Sequence, residues 1–234
     1  MSWTITGTPY PNIVTGGLVL NLDAGSKLSY PGTGTSWLDL SGNGNTGTLV
    51  NGPTYSSANG GAIVFDGTND YASLPNLGIA PSGARTVNAW IKPNSITGQQ
   101  TVFAYGVVAA LTVFALLLNT ASSGDVYVSF GAGDFYTTGN AINTSQYWNI
   151  CVTYGGGALN ANTSIYVNGI LKSITGAGPN VGNVANTTNT SYQVGTVNGA
   201  FYFGSLATCS FYDRALTATE VSQNFNALRG RYGI

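Results

Sequence analysis

The stretch Phe201–Arg229 reads FYFGSLATCSFYDRALTATEVSQNFNALR. Its first half is dense in aromatic and β-branched residues, the composition of a strand on a packed sheet. Its second half carries the one convincing helix of the chain. Thr217 and Glu220 stand at N-cap and N3 spacing, the pattern of a capping box, and Leu216 with Val221 occupy the N′ and N4 positions of a hydrophobic staple. Val221, Phe225 and Leu228 recur at i, i+4 and i+7, so one helix face is apolar and must lie on something. A long strand followed at once by a short helix, at the end of a long run of strand-like sequence, predicts an all-β sandwich closed by that pair.

Upstream, the alternation supports the same architecture. In Gly17–Ala24, Leu18, Leu20 and Leu22 share one face while Asn21 and Asp23 share the other, which predicts the first strand. Lys27–Tyr55 is turn-rich, with Trp37 and Leu38 as its evident anchors. Within it, Ser41–Gly47 (SGNGNTG) is a loop that Gly and Asn follow cheaply. Short strands are expected at Ala62–Phe65 and Tyr71–Leu74. Thr86–Lys92 sets Val87, Ala89 and Ile91 against Asn88, Trp90 and Lys92. Val102–Tyr105, Ala110–Asn119, Asp125–Gly131, Phe135–Thr138 and Gln146–Tyr154 follow at antiparallel spacing. Asn168-Gly169 between Ile165-Tyr166-Val167 and Ile170-Leu171 is a strong hairpin signal. Gly176–Thr190 reads as a polar loop. Residues 1–16, with Pro9 and Pro11, read as an extended N-terminal arm ahead of one domain at 17–234. Its apolar residues Trp3, Ile5, Tyr10, Ile13 and Val14 must either pack back on their own sandwich or cross to a neighbour, and crossing to a neighbour is the expectation.

Composition narrows the function. The 234 residues hold 43% hydrophobic side chains, enough for a substantial core, but charged residues are only 6%, against about 25% in ordinary soluble proteins. Net charge is −1 and the seven Lys and Arg are scattered singly, so no basic stripe exists to hold nucleic acid. Met1–Thr15 has no basic start and no sufficient apolar run, so a signal peptide is not expected. Val107–Leu118 falls short of the about 20 residues that span a bilayer and reads as buried strand, so no membrane insertion is expected. Cys151 and Cys209 each sit inside a predicted strand and read as buried reduced thiols.

The order of motifs resembles the laminin-G-like jellyroll family of the concanavalin A-like lectin/glucanase superfamily. The residues that carry the likeness are Leu20–Ala24, Trp37–Asn45, Phe65–Tyr71, Val87–Pro93, Trp148–Tyr154, Tyr166–Gly169 and Phe211–Leu216. The ending Asn224–Ile234 is similar to structural proteins of tailed phages, particularly of marine and cyanobacterial hosts. The resemblance implies an all-β, two-sheet antiparallel jellyroll sandwich with one short C-terminal helix, a fold that often binds glycans or proteins. It also implies a rim calcium site in some relatives, aided by an acidic residue before the final Tyr-x-Arg-Ala motif. Here that position lies in Leu206–Cys209, which has no carboxylate.

The side-chain inventory argues against catalysis. Glycan-cleaving relatives use paired carboxylates, whereas this chain has a single Glu, Glu220, already explained as a cap, and no His for Ser-His-Asp or Cys-His chemistry. Asp39, Asn43 and Asn45 offer oxygens for calcium, or alternatively make turns that hold their own loop. The spacing is not that of an EF-hand, and one carboxylate binds Ca²⁺ weakly. Asp66, Asn69 and Asp70 carry the same two readings. Trp37, Tyr136 and Tyr202 are candidates to stack on sugar rings, while Trp90 and Trp148 read as core. The expectation is a non-enzymatic virion protein, a capsid decoration or tail adhesin with a lectin-like domain. It would be made in the host cytoplasm and partnered by other virion proteins, further copies of itself and host-surface polysaccharide. The alternative is a free carbohydrate-binding module serving a glycan-active enzyme.

Overall fold

The computed structural model describes residues 12–119 and 121–234. Two antiparallel sheets face each other. One has eight strands, ordered Ile170–Leu171, Thr163–Val167, Trp148–Tyr154, Arg85–Pro93, Phe203–Tyr212, Ala62–Asp66 and Thr54–Ser56, with Leu18–Asp23 also paired to Phe203–Tyr212. The other has nine, ordered Ile174–Ala177, Asp134–Thr137, Val126–Ser129, Val113–Leu118, Gln100–Gly106, Gln193–Val194, Tyr71–Ser73, Gly47–Val50 and Ser36–Trp37. The main core fills the space between them. Leu20, Leu22, Val87, Ala89, Ile91 and Phe211 come from one side and Phe103, Phe114, Leu116 and Val128 from the other. The Phe103 and Phe211 rings meet at 5.0 Å. This is the alternation read in the sequence, with each strand's second set of residues on an outer face.

The helix Ala218–Leu228 begins as expected. The Thr217 side chain accepts from the Glu220 amide, and Glu220 accepts from the Thr217 amide. Leu216 and Val221 are buried in one cluster with Tyr212 and Cys151. The apolar helix face lies on the outer side of the eight-stranded sheet, where Phe225 at 5.7 Å and Tyr232 at 4.3 Å both stack on Trp90. The hairpin at Asn168-Gly169 also forms, both residues having positive φ of 51° and 73°, as a type I′ turn requires. A β-carbon on Gly169 would stand 3.3 Å from the Phe225 β-carbon, so glycine also lets the turn sit against the helix. Cys151 and Cys209 are free and buried, on opposite faces of the sheet, in the helix-side cluster and the main core respectively. Burial raises both thiols, Cys209 to about 12.

Several expectations need correction. The apolar run from Val107 is not strand throughout. It turns through Leu111, with φ of 64°, and Val107 and Val108 are exposed before the strand starts at Val113. The turn-rich Lys27–Tyr55 region contributes two strands of the nine-stranded sheet, Ser36–Trp37 at its edge and Gly47–Val50 beside it, and the loop expected from Gly176 starts inside the strand Ile174–Ala177. Residues 12–16 do not leave for a neighbour. Val14 is buried, its amide donates to Asn224 Oδ1 at 2.8 Å, and its carbonyl accepts from the Tyr212 hydroxyl at 3.0 Å. Gln223 Nε2 donates to the Asn12 carbonyl at 2.7 Å. The boundary expected at residue 17 therefore falls within a segment docked on its own domain. Trp3, Ile5 and Tyr10 lie outside the described residues.

Arg85 is fully buried between the sheets, and among the described residues no carboxylate forms an ion pair with it. Its guanidinium donates to the Tyr105 hydroxyl, to Thr187 Oγ1 at 2.7 Å and to the carbonyls of Pro81 and Gly83 at 3.0 and 2.6 Å. The rings of Tyr105, Phe114 and Tyr154 lie 5.3–5.7 Å from its carbon centre. Desolvation lowers its pKa. Removing it orphans the loop carbonyls it holds. Arg85→Met is expected to cost about 3 kcal/mol, or roughly 6–12 °C in Tm for a chain of this size. A loss below about 1 kcal/mol on thermal melting would contradict this role for the cation.

Glu220 also binds Arg214 through two contacts, of 2.6 and 2.9 Å. The Arg214 hydrogen bonds, then the Thr217 amide, hold its carboxyl down at about 2. A depressed carboxylate stabilises the fold above its unfolded pKa and loses that contribution as pH falls. Wild type should therefore lose stability to Glu220→Gln between about pH 4.5 and 2. Parallel acid melts of the two proteins over that window would show the idea wrong.

Candidate functional site

Among the described residues, no helix packs on the outer face of the nine-stranded sheet. On it, Ala104, Val113, Ala115 and Leu117 form an apolar floor with Tyr127, flanked by Tyr136 and Val197. The floor exists because Val113–Leu118 alternates, sending Phe114, Leu116 and Leu118 into the core and the residues between them outward. Tyr127 and Tyr136 are direct cross-strand partners of one hairpin, so their rings lie parallel, 6.0 Å apart and 4° from coplanar directions.

Asp134 starts the second strand of that hairpin and organises the polar side of the floor. One carboxylate oxygen accepts from Ser129 Oγ at 2.9 Å and from the Phe130 amide at 3.0 Å, and the other accepts from the Tyr127 hydroxyl at 2.8 Å. Burial, reinforced by this carboxylate, pushes the Tyr127 phenol well above its ordinary range, so it stays protonated and donating. A cleft of about 160 Å³ opens here, with Tyr127, Ser129, Asp134, Leu117, Val197 and Gln99 among its lining. The small hairpin pairing Thr196–Val197 with Ala200–Phe201 supplies one wall. Small-molecule sites run to about 300–1,000 Å³, so this cleft suits one ring or the edge of a chain laid along the sheet. Apolar floor, aromatic faces and a fixed carboxylate match a ligand with C–H faces and hydroxyl edges.

The expected site residues do not come together. Tyr136 is part of the face just described. Trp37 is fully buried in the main core, because its strand turns it inward against the opposite sheet, and it offers no stacking surface. Tyr202 is also fully buried, 6.0 Å from Phe65, with its hydroxyl donating to the Ser205 carbonyl at 3.2 Å. Tyr127 and Asp134 were missed. Both sit in stretches readable as a hairpin, but which face is outer follows from the sheet order.

Asp39 gathers its own loop. Its two oxygens accept from the amides of Asn21 (2.8 Å), Ser41 (2.9 Å) and Asn45 (2.9 Å) and from Ser41 Oγ (2.7 Å). Asn43 and Asn45 turn their NH₂ groups onto the carbonyls of Leu18 and Val19, at 3.0 and 2.7 Å. This is the turn geometry of a self-held loop, with the carboxylate's lone pairs directed at N–H and O–H donors. Asp66 likewise accepts from the Thr68 amide at 2.7 Å, and its own amide donates to Asp70 at 3.1 Å. Among the described residues no group of three or more acidic or thiol side chains is placed to hold a metal.

Residues 66–222 match the family model of the concanavalin A-like lectin/glucanases superfamily, laminin G type, and the chain belongs to that family. Solved structures share the fold. Domain 4 of AbnA, a GH43 extracellular arabinanase from Geobacillus stearothermophilus solved with arabinotriose, is 21% identical over 88% of this chain and 97% of its own, with a TM-score of 0.63. The binding domain of Paraclostridial Mosquitocidal Protein 1 is 15% identical over 90% of this chain, with a TM-score of 0.67, and this chain spans 52% of it. A Trypanosoma rangeli sialidase is 16% identical over 93% of this chain, with a TM-score of 0.64, and this chain spans 34% of it. Among curated proteins none matches the sequence.

Asp39→Ala leaves three backbone amides without their acceptor and is expected to cost about 2 kcal/mol, equally with Ca²⁺ or EDTA present. A Tm gain on adding Ca²⁺ that disappears in Asp39→Ala would instead make this loop a calcium site.

Proposed function

We propose that this chain is a non-catalytic glycan-binding domain whose ligand lies on the outer face of the nine-stranded sheet. The observation that carries the reading is the Tyr127–Tyr136 pair over an apolar floor with Asp134 held beside it. A pyranose or furanose ring presents C–H groups to such a surface and hydroxyls to the carboxylate. Catalysis is not part of the proposal. Asp134 is the cleft's one carboxylate among the described lining residues, and Glu220 is occupied by Arg214 and the helix start. Hydrolysis by a retaining or inverting route needs a second carboxyl about 5–9.5 Å away.

The setting we propose is the virion of a tailed phage, as capsid decoration or tail adhesin, bound to other virion proteins and to copies of itself. Its support is the likeness of Asn224–Ile234 to tailed-phage structural proteins, together with the weakly charged surface. A second reading, a binding module attached to a glycan-active enzyme, is favoured by the near-complete overlap with the arabinanase domain.

Titration calorimetry with arabinotriose and with purified bacterial surface polysaccharide tests the site. Binding should weaken at least about tenfold in Tyr127→Ala and in Asp134→Ala, with no reducing ends released. Unchanged affinity in both variants would sink the assignment. Immunolabelling that finds the protein on secreted enzymes and never on particles would favour the second setting.

A further inference from the structure

The tyrosine cleft is elongated. Its floor residues Val113, Ala115 and Leu117 follow one another along one strand, about 13 Å from first to last at the rise of an extended chain. Tyr127 and Ser129, register partners of Leu117 and Ala115, bound one long side, and the hairpin of Thr196–Val197 with Ala200–Phe201 bounds the other. The floor itself is buried, so a ligand meets the rim. There Val108, Asn198 and Gln99 are exposed, and Ser129, Asp134 and Val197 are partly so. Val108 follows the strand end paired with Val113, and Gln99 precedes the end paired with Leu117, so the two stand at opposite ends of the cleft.

Gln99 is also a wall of a second cleft, of about 250 Å³, which it lines with Asp66, Ser95, Thr97, Phe201 and Phe203. Neither cleft alone reaches the about 300–1,000 Å³ of a small-molecule site, but they adjoin at this shared residue. The second cleft offers accessible groups, since Asp66, Thr97 and Gln99 are exposed and Phe203 keeps 40% of its surface open. Phe203 is also held in place. Its amide donates to Gln100 Oε1 at 3.0 Å, and its carbonyl accepts from the Asn94 amide at 2.9 Å. A β-carbon on Gly67 would stand 2.8 Å from that of Phe203, so glycine there lets the turn close against the aromatic residue. An aromatic surface fixed in advance loses little freedom when a ligand covers it. Directly opposite Phe203 in the register is Asp66. Its carboxylate accepts from the Thr68 amide at 2.7 Å, a bond that lowers its pKa and keeps it ionised. The second cleft thus repeats the chemistry of the first, an aromatic ring beside a fixed carboxylate.

Each cleft holds one Asp, and neither has a Lys or Arg among its described lining residues. An acidic glycan would meet like charge at both ends with no cation to offset it.

We infer that the two clefts form one groove for a linear, neutral oligosaccharide of several rings. Its first rings lie along the rim between Val108 and Gln99 beside Tyr127 and Asp134, the chain passes Gln99, and a further ring rests on Phe203 with hydroxyls toward Asp66. The inference rests on the tyrosine-face reading and deepens it, naming the ligand as a chain segment and as uncharged.

The test is titration calorimetry of the full chain with arabino-oligosaccharides and cello-oligosaccharides of three and six rings, and with galacturonides of the same lengths. In at least one neutral series the six-ring probe should bind at least about tenfold more tightly than the three-ring probe, and the galacturonides should not bind. Phe203→Ala and Asp66→Asn should each cut that gain to about twofold, whereas Tyr127→Ala should weaken both lengths. Should Phe203→Ala not fold, Asp66→Asn, which keeps an acceptor for the turn, carries the same comparison. Equal affinity at both lengths, or a full gain retained in both variants, overturns the inference; the tyrosine face still stands if Tyr127→Ala weakens binding. Loss in Phe203→Ala with none in Tyr127→Ala would sink the tyrosine-face reading and the shared groove with it. Galacturonides binding as tightly as the neutral series would refute the uncharged ligand. If no probe binds, the inference fails, and the tyrosine face is left to the surface-polysaccharide titration above.

Discussion

The strand Phe203–Tyr212 is the constraint on which the rest of the structure depends. It pairs along one edge with Arg85–Pro93, and its other edge is divided between Ala62–Asp66 and Leu18–Asp23. The first and last strands of the described sandwich are therefore hydrogen-bonded neighbours, and the eight-stranded sheet is incomplete until the end of the chain arrives. Such non-local pairing makes folding slow relative to helical proteins, because loop entropy is lost before the contacts form. A bulge between Leu206 and Thr208 shifts the register against Trp90. It leaves Ala207 in the aromatic cluster under the C-terminal helix while Thr208 lines a polar cleft beside it.

The two sheets consequently present unlike outer faces. One is covered by the helix and by Tyr232, which stack on Trp90 and leave the polar cleft beside them. Among the described residues, the other carries a two-residue-strand hairpin and a tyrosine pair beside its apolar floor. The floor side chains Ala104, Val113, Ala115 and Leu117 are themselves buried, so what this face offers is the cleft lined by Tyr127, Asp134 and Val197 and not an open apolar patch. The Tyr127 hydroxyl is held by Asp134 and its ring is 9% exposed, beside the half-buried ring of Tyr136.

Charge has little part in recognition here. Among the described residues, the ion pairs are Arg214–Glu220 and Arg231–Asp23, both tying the C-terminal region to the body or to itself. Arg85 spends its charge inside the core, and Asp39, Asp66 and Asp134 spend theirs on backbone amides that shape loops and turns. Little remains to project a field, so encounter is not steered electrostatically, and affinity must come from short-range packing and hydrogen bonds. The neutral, Asn- and Thr-rich surface fits a neutral ligand better than an ionic one.

Local information determined a good deal. The capping box, the staple, the Asn168-Gly169 turn and the alternation in Gly17–Ala24 and Thr86–Lys92 each depend on residues near one another in the chain, so the sequence by itself settled the helix, that hairpin and the all-β class. The same locality explains the failures. Whether Trp37 and Tyr202 face solvent depends on what lies over their positions in the fold, and both are covered. Tyr127 and Tyr136 look like any strand tyrosines until the sheet order sets their face on the outside of the sandwich. Thr208 looks like any strand threonine until a bulge and a distant N-terminal segment enclose it. Period-two alternation states that two faces exist; only the tertiary structure decides which of them is buried, because burial is a property of what packs against a strand and not of the strand itself.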